Sequence, residues 1–257
     1  MTTADPLLLA TARVSTFLGG LLQTNASGFF FERDARLYLV TSRHVVLDAA
    51  SKHYPDRLEI ELHVDGVDLT RSTGFSVPLY ADARSVWRQG KDSGGEVDIA
   101  VIELDRAKLP AAVELRAFTP AQLAGPGDDI GVGASLLVAG FPLGFHDALH
   151  HLPVVRQAVV ASSYGIRFQG QGYFLTDARM HRGASGAPVV MRDPTLGATL
   201  PWRLLGVHAS RMDMGTRDLV LDESLGLNCA WYADILLTLT APAVAALPTT
   251  GQTADKP

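Results

Sequence analysis

Apolar and polar residues alternate along Leu58-Glu59-Ile60-Glu61-Leu62-His63-Val64, the period of a strand with one face on a core and the other toward water. Other runs are more continuously apolar and rich in aromatic and β-branched residues. Ala26-Ser27-Gly28-Phe29-Phe30-Phe31 and Leu37-Tyr38-Leu39-Val40-Thr41 are two such strands, separated by a turn at Arg33-Asp34-Ala35-Arg36. Val97-Asp98-Ile99-Ala100-Val101-Ile102-Glu103-Leu104 is a third, opened by an acid. The rhythm resumes at Leu136–Gly140, Val154–Ser162, Tyr173–Thr176, Ala187–Met191, Arg203–Ala209 and Leu227–Trp231. Asp65-Gly66 marks a turn, the stretch to about residue 75 has no clear period, and residues 82–96 are polar.

Two segments carry helical spacing instead. Residues 5–22 place Leu8, Leu9, Val14, Leu18, Leu21 and Leu22 roughly on one face, which predicts an N-terminal helix broken at Gly19-Gly20. Residues 234–246 predict a C-terminal helix, and the polar residues 249–257 a disordered tail. Short strands at this spacing predict an all-β protein of two packed sheets or barrels, not βαβ units. The expected division is residues 1–110 for the N-terminal helix and first β unit, 111–134 for a linker rich in Ala, Gly, Pro and Asp, and 135–248 for the second unit.

Composition narrows the function. The chain has 257 residues, 47% of them hydrophobic and 19% charged, which is ordinary for a globular protein. The formal charge is −5 and no basic run is present, so nucleic acid is not an expected partner. The lone cysteine, Cys229, excludes an internal disulfide. No apolar run reaches the ~18 residues of a membrane span. The apolar patch Pro6-Leu7-Leu8-Leu9-Ala10 lacks the preceding positive charge of a secretory signal, so a cytoplasmic location is expected. His146, His150 and His151 with Asp147 have no Cys or Glu ligand at metal spacing; no metal or cofactor is expected.

The candidate chemistry lies in Met180-His181-Arg182-Gly183-Ala184-Ser185-Gly186-Ala187-Pro188. A serine hydroxyl becomes a useful nucleophile with a base in hydrogen-bond reach and donors aimed at the oxyanion it creates. Gly183 allows the backbone to turn the N–H groups of Gly183 and Ser185 into one space, and Gly186 allows close approach of a substrate backbone. His44, where a buried-looking strand ends, is the candidate base. Asp98, beside a core strand, is costly to bury without a partner, and an imidazole N–H would serve as one. The chain order is His44, Asp98, Ser185, at separations of 54 and 87 residues. That order excludes the α/β-hydrolase arrangement (Ser, Asp, His) and the subtilisin arrangement (Asp, His, Ser).

These segments resemble chymotrypsin-fold serine peptidases, above all bacterial trypsin-like enzymes without disulfides. The resemblance covers about residues 26–235. It rests on Gly28-Phe29, Leu39-Val40-Thr41-Ser42-Arg43-His44-Val45-Val46, Asp98-Ile99-Ala100-Val101-Ile102, Gly140-Phe141-Pro142-Leu143-Gly144, Thr176-Asp177-Ala178, Gly183-Ala184-Ser185-Gly186-Ala187-Pro188 and Leu205-Gly206-Val207-His208. It implies two six-stranded antiparallel β-barrels and an endopeptidase using His44, Asp98 and Ser185, with Gly183 and Ser185 as the oxyanion hole. Gly140 to Gly144 is similar to a turn of heat-stress proteases, whose peptide-binding PDZ module is not expected here. Ala184 stands where digestive and clotting relatives carry the acid that pairs with a newly cut N-terminus, so activation by that route is not expected.

The resemblance further implies that Arg179, Met180 and His181 form one wall of the specificity pocket, and Val207, His208, Ala209 and Ser210 the other. Arg179 occupies the place of the trypsin-type acid, which argues against cleavage after Lys or Arg. His208 is similar to the pocket histidine of glutamyl endopeptidases and picornaviral chymotrypsin-like proteases. Its ring would favour Glu, Gln or Asp before the cut, with Arg179 or Arg211 assisting. The expected partner is a protein or peptide substrate, with a single companion protein as a narrower case. The alternative is a catalytically inactive peptide-binding module of the same fold.

Overall fold

The computed structural model describes residues 4–125, 128–212 and 225–242. Asp5 caps a one-turn helix, α1 (Pro6–Ala10), by accepting the Leu7 N–H at 2.9 Å, with proline in the first turn. Seven strands follow: β1 (Thr11–Leu18), β2 (Leu21–Arg33), β3 (Arg36–Thr41), β4 (Arg57–His63), β5 (Ser72–Pro78), the two-residue β6 (Trp87–Arg88) and β7 (Ala100–Leu104). They form one antiparallel sheet in the order β5-β4-β1-β2-β3-β7-β6. A single turn of helix, α2 (Arg43–Val46), follows β3.

The second sheet contains β8 (Ser135–Gly140), β9 (Val154–Val159), β10 (Tyr173–Thr176), β11 (Pro188–Arg192), β12 (Trp202–Arg211) and β13 (Asn228–Tyr232), in the order β9-β8-β11-β12-β13-β10. An antiparallel bridge between Val160 and Thr176 joins its two edges and curls the sheet on itself. The protein is therefore all-β with the chymotrypsin-like double-barrel architecture. The first sheet carries the tiny β6 beyond the six strands expected of it.

Successive strand residues face opposite ways, and this explains the continuous apolar runs. Leu37 and Leu39 point into the first unit's own core with Leu58, Ile60 and Ile102. Their neighbours Tyr38 and Val40, with Phe29 and Phe31, point to a second core shared with Val190, Leu204, Val207 and Trp202 of the other unit. Strands buried on both faces cannot show alternation. Phe118, in the connection between the sheets, is fully buried in the shared core and stacks edge-on against Phe29 at 5.6 Å. Its backbone pairs with Phe30 and Glu32, and Ala124 further on donates to Leu204.

Three expectations need correction. The helical reading of 5–22 holds only over Pro6–Ala10; Thr11 onward is a strand with Ala12, Val14 and Thr16 buried on alternate positions. β-Branched Thr11, Val14 and Thr16 suit a strand, and β1 gains ladders on both sides, to β2 and β4. Gly19-Gly20 is a hairpin turn, not a helix break, so Leu18, Leu21 and Leu22 stand exposed at its tip. The stretch without a period ends in β5, an edge strand that turns Phe75 and Val77 to the first core and leaves Gly74, Ser76 and Pro78 exposed. The C-terminal helix, α3, spans Ile235–Leu239; residues from 243 onward, including the remainder of the 234–246 reading and the 249–257 tail, lie outside the described residues. No helix among the described residues is long and apolar enough to cross a membrane.

Candidate active site

Asp98 sits just before β7, between the buried Val97 and Ile99. Its carboxylate clamps His44 at two points. Oδ1 accepts the His44 backbone N–H at 2.9 Å, and Oδ2 lies 2.7 Å from the ring Nδ1. His44 is in α2, not on a strand end as expected: the chain leaves β3 and turns at once, so the backbone N–H and the ring both face the acid. With Nδ1–H donating to the carboxylate, Nε2 carries the free lone pair. Burial lowers the His44 pKa, but the Asp98 hydrogen bond and charge outweigh it and hold it above the ordinary 6.5. The ring remains 35% exposed, so it is oriented yet reachable.

Ser185 lies in the turn entering β11. Gly183 has φ +89° and a Cβ there would stand 2.6 Å from the Phe141 carbonyl oxygen; Gly186 has φ +87° and passes against the Ser27 backbone. Only glycine fits either place. The Ser185 carbonyl accepts the Ser27 N–H at 2.9 Å and Gly186 N–H donates to the His208 carbonyl at 2.8 Å. The Leu143 N–H holds the Arg182 carbonyl at 2.6 Å. Because a trans peptide points its C=O and N–H in opposite directions, this turns the Gly183 N–H the other way. Neither the Gly183 nor the Ser185 N–H donates to an acceptor among the described residues. They are two free donors beside one serine hydroxyl. That hydroxyl donates to the Ala209 carbonyl at 3.0 Å.

His44, Gly183 and Ser185 line one cavity of about 370 Å³, with Asn25, Asp48 and Arg182 on its wall. His44 and Asp98 flank strands of the first sheet and Ser185 precedes a strand of the second. The residues expected to wall the specificity pocket do not border this cavity. Arg179 and Ser210 are exposed, His181 is half-buried, and Met180, Val207, His208 and Ala209 are buried behind the serine. Complete burial, then the charge of His44, pushes His208 down to about 4, so it is neutral at pH 7; its Nδ1 has no partner. Arg179 forms no ion pair among the described residues. Asn228 on β13, which the sequence did not single out, donates to the Ala178 carbonyl at 2.6 Å and braces the wall leading to the serine. Nothing in a strand of mixed composition marks it out beforehand.

The histidine-rich segment is tied to itself and to β4. His150 Nδ1 lies 2.8 Å from Asp147, and the His150 carbonyl lies 2.7 Å from His63 Nε2 on β4. Among the described residues, no three or more His, Cys, Asp or Glu side chains converge as a metal site would require.

With this geometry in place, the comparisons define the class. Residues 26–196 match the model of the trypsin-like peptidase domain, and the chain belongs to that family. No curated protein matches it. Among solved structures it is similar to the serine endoprotease from Yersinia pestis, at 16% identity and a TM-score of 0.53, over 93% of this chain and 65% of that one. At that identity the likeness concerns the fold.

Proposed function

We propose that the chain is a serine endopeptidase in which His44, Asp98 and Ser185 act together, with a preference for Glu, Gln or Asp before the cut. The observation that carries this reading is the two-point Asp98–His44 clamp on the same cavity as Ser185 and its two free N–H donors. In the reaction, Ser185 rotates from the Ala209 carbonyl toward His44 Nε2. Its Oγ adds to the scissile carbonyl carbon while His44 takes the proton. Asp98 stabilises the resulting imidazolium, and the Gly183 and Ser185 N–H groups receive the oxyanion. Collapse breaks the C–N bond, and His44 gives its proton to the leaving amine. Water then attacks the acyl-enzyme by the same route and regenerates Ser185. No step calls for a metal or cofactor.

For the preference, the buried His208 ring has an Nδ1 without a partner among the described residues, and a substrate Glu, Gln or Asp side chain that opens the wall behind Ser185 would supply one. The inactive peptide-binding module is the second reading, favoured by the Ser185 hydroxyl being engaged with Ala209. We also take residues 111–134 as the connection between two β units, and a cytoplasmic location as the working assignment. The experiment is labelling by a fluorophosphonate with cleavage of a peptide set varied only before the cut. Wild-type labelling and turnover, both lost in Ser185→Ala, are the expected result. An unlabelled wild type favours the binding module, and preference for Lys, Arg or large aromatics sinks the specificity.

A further inference from the structure

We propose that Ser27 of β2 is a positioning residue for the oxyanion loop, an inference that rests on the serine-peptidase reading above. Ser27 is fully buried and belongs to the first sheet, yet its polar atoms serve the nucleophile loop of the second. The hydroxyl donates to the Gly183 carbonyl at 2.8 Å and accepts the Phe141 N–H at 2.9 Å. The Ser27 N–H donates to the Ser185 carbonyl at 2.9 Å. Its own carbonyl accepts the Thr41 hydroxyl at 2.8 Å, which fixes Ser27 against β3.

Peptide geometry shows what these bonds control. The Gly183 N–H belongs to the 182–183 peptide plane, held by Leu143 through the Arg182 carbonyl. The next plane, 183–184, is held by the Ser27 hydroxyl on the Gly183 carbonyl at 2.8 Å and, more loosely, by the Ala184 N–H on the His181 carbonyl at 3.2 Å. Gly183 has the freedom of a residue without Cβ, so its N–H keeps one direction only when both adjoining planes are pinned. The Ser185 N–H lies in the 184–185 plane. Ser27 holds the planes on both sides of it, through the Gly183 and Ser185 carbonyls. The Phe141 N–H bond extends the same control to the Leu143 support. Phe141 opens the turn that presents Leu143, closed by the Gly144 N–H on the Phe141 carbonyl at 2.9 Å. One hydroxyl thus steadies both supports.

The chemistry at this position is narrow. The group must donate and accept at a single atom on a short side chain, which a hydroxyl does. A Cβ on Gly140 would stand 2.7 Å from the Ser27 Oγ, so the strand end beside it is already in close contact. Alanine removes both side-chain bonds and leaves the Gly183 carbonyl and Phe141 N–H without them. Cysteine fills the place with a somewhat larger sulfur that is a much weaker donor and acceptor.

The test uses the full chain as wild type, Ser27→Ala and Ser27→Cys, with an internally quenched peptide and a fluorophosphonate that counts functional sites. Losing the aim of an oxyanion donor is expected to lower kcat per labelled site by about 10–100-fold in Ser27→Ala, with KM within about threefold. The phosphonylation rate should fall in parallel, because that reaction also builds charge on an oxygen in the hole, and Ser27→Cys should fall between. A thermal melt separates this from lost folding. If Ser27→Ala does not fold, the same kcat-against-KM split in Ser27→Cys decides. An active wild type with unchanged kcat per site in the folded variants overturns this inference alone. A wild type that neither cleaves nor labels overturns the peptidase reading and this one with it.

Discussion

His44 and His208 are pushed in opposite directions by their surroundings, and their titrations are separable. For His44, burial lowers the pKa, but the Asp98 bond and charge outweigh it. Since the base must be neutral to accept the serine proton, kcat/KM should rise with pH through a value above 6.5. Asp98→Asn removes the charge and leaves burial dominant. The acid limb should then move below 6.5 while kcat falls by ~10³–10⁴. A pH–rate profile of the two proteins checks this, and an unmoved limb would show that Asp98 does not set the base. His208 is depressed to about 4 by burial, so folding favours its neutral form. An unfolded chain takes up that proton near 6.5. Its contribution is complete above 6.5 and drains as pH falls toward 4, whereas that of His44 is complete below 6.5 and drains only as pH rises above it. Urea midpoints measured from pH 7 to 4.5 should fall for wild type and flatten in His208→Leu, which cannot titrate.

At the scale of elements, the turns do the positioning and the strands supply a frame. Gly183 is the sharpest case. Alanine there would meet a φ of +89° and the Phe141 carbonyl. Gly183→Ala is expected to cost about 1–3 kcal/mol of stability and ~10²-fold or more in kcat, read from urea unfolding and turnover per site. Strand existence was legible in the sequence because core strands carry dense β-branched and aromatic residues, as in Phe29-Phe30-Phe31 and Leu37 to Val40. The candidate site residues stood out in the sequence for other reasons: Asp98 as an acid before apolar Ile99, costly to bury without a partner, His44 at the end of an apolar run, and Ser185 as a serine between glycines. The β1–β2 hairpin was not legible. Its tip leucines, Leu18, Leu21 and Leu22, are exposed while Val14 is buried on a strand face, so spacing that resembled one helix face joined residues that share no face. Ser27 was hidden too, because a small polar residue in a strand shows its partners only when residues 141 and 183 are brought to it by the fold.

At the scale of the whole molecule, the proposed chemistry lies across a seam. His44 and Asp98 lie beside one sheet and Ser185 beside the other, and between the sheets run a shared apolar core and polar bonds that cross it at Ser27, Arg88 and Arg167. Phe118 is the residue best placed to test what the core contributes. It comes from the connecting segment, is fully buried among Phe29, Phe31 and side chains of the second sheet, and touches none of the reacting groups. Removing a buried phenyl ring typically costs about 3–5 kcal/mol, because transfer energy is lost and a cavity remains. In Phe118→Ala that cavity opens at the seam. Two outcomes can then be told apart by assaying well below the unfolding midpoint, where the variant is fully folded. If the core only stabilises the chain, kcat per labelled site stays at the wild-type value. If the core sets the register between base and nucleophile, kcat per site falls even in the folded variant. We expect the second, since Ser185 must leave the Ala209 carbonyl and meet His44 across the interface. Phe118→Leu, which keeps much of the apolar volume, should recover most of the loss.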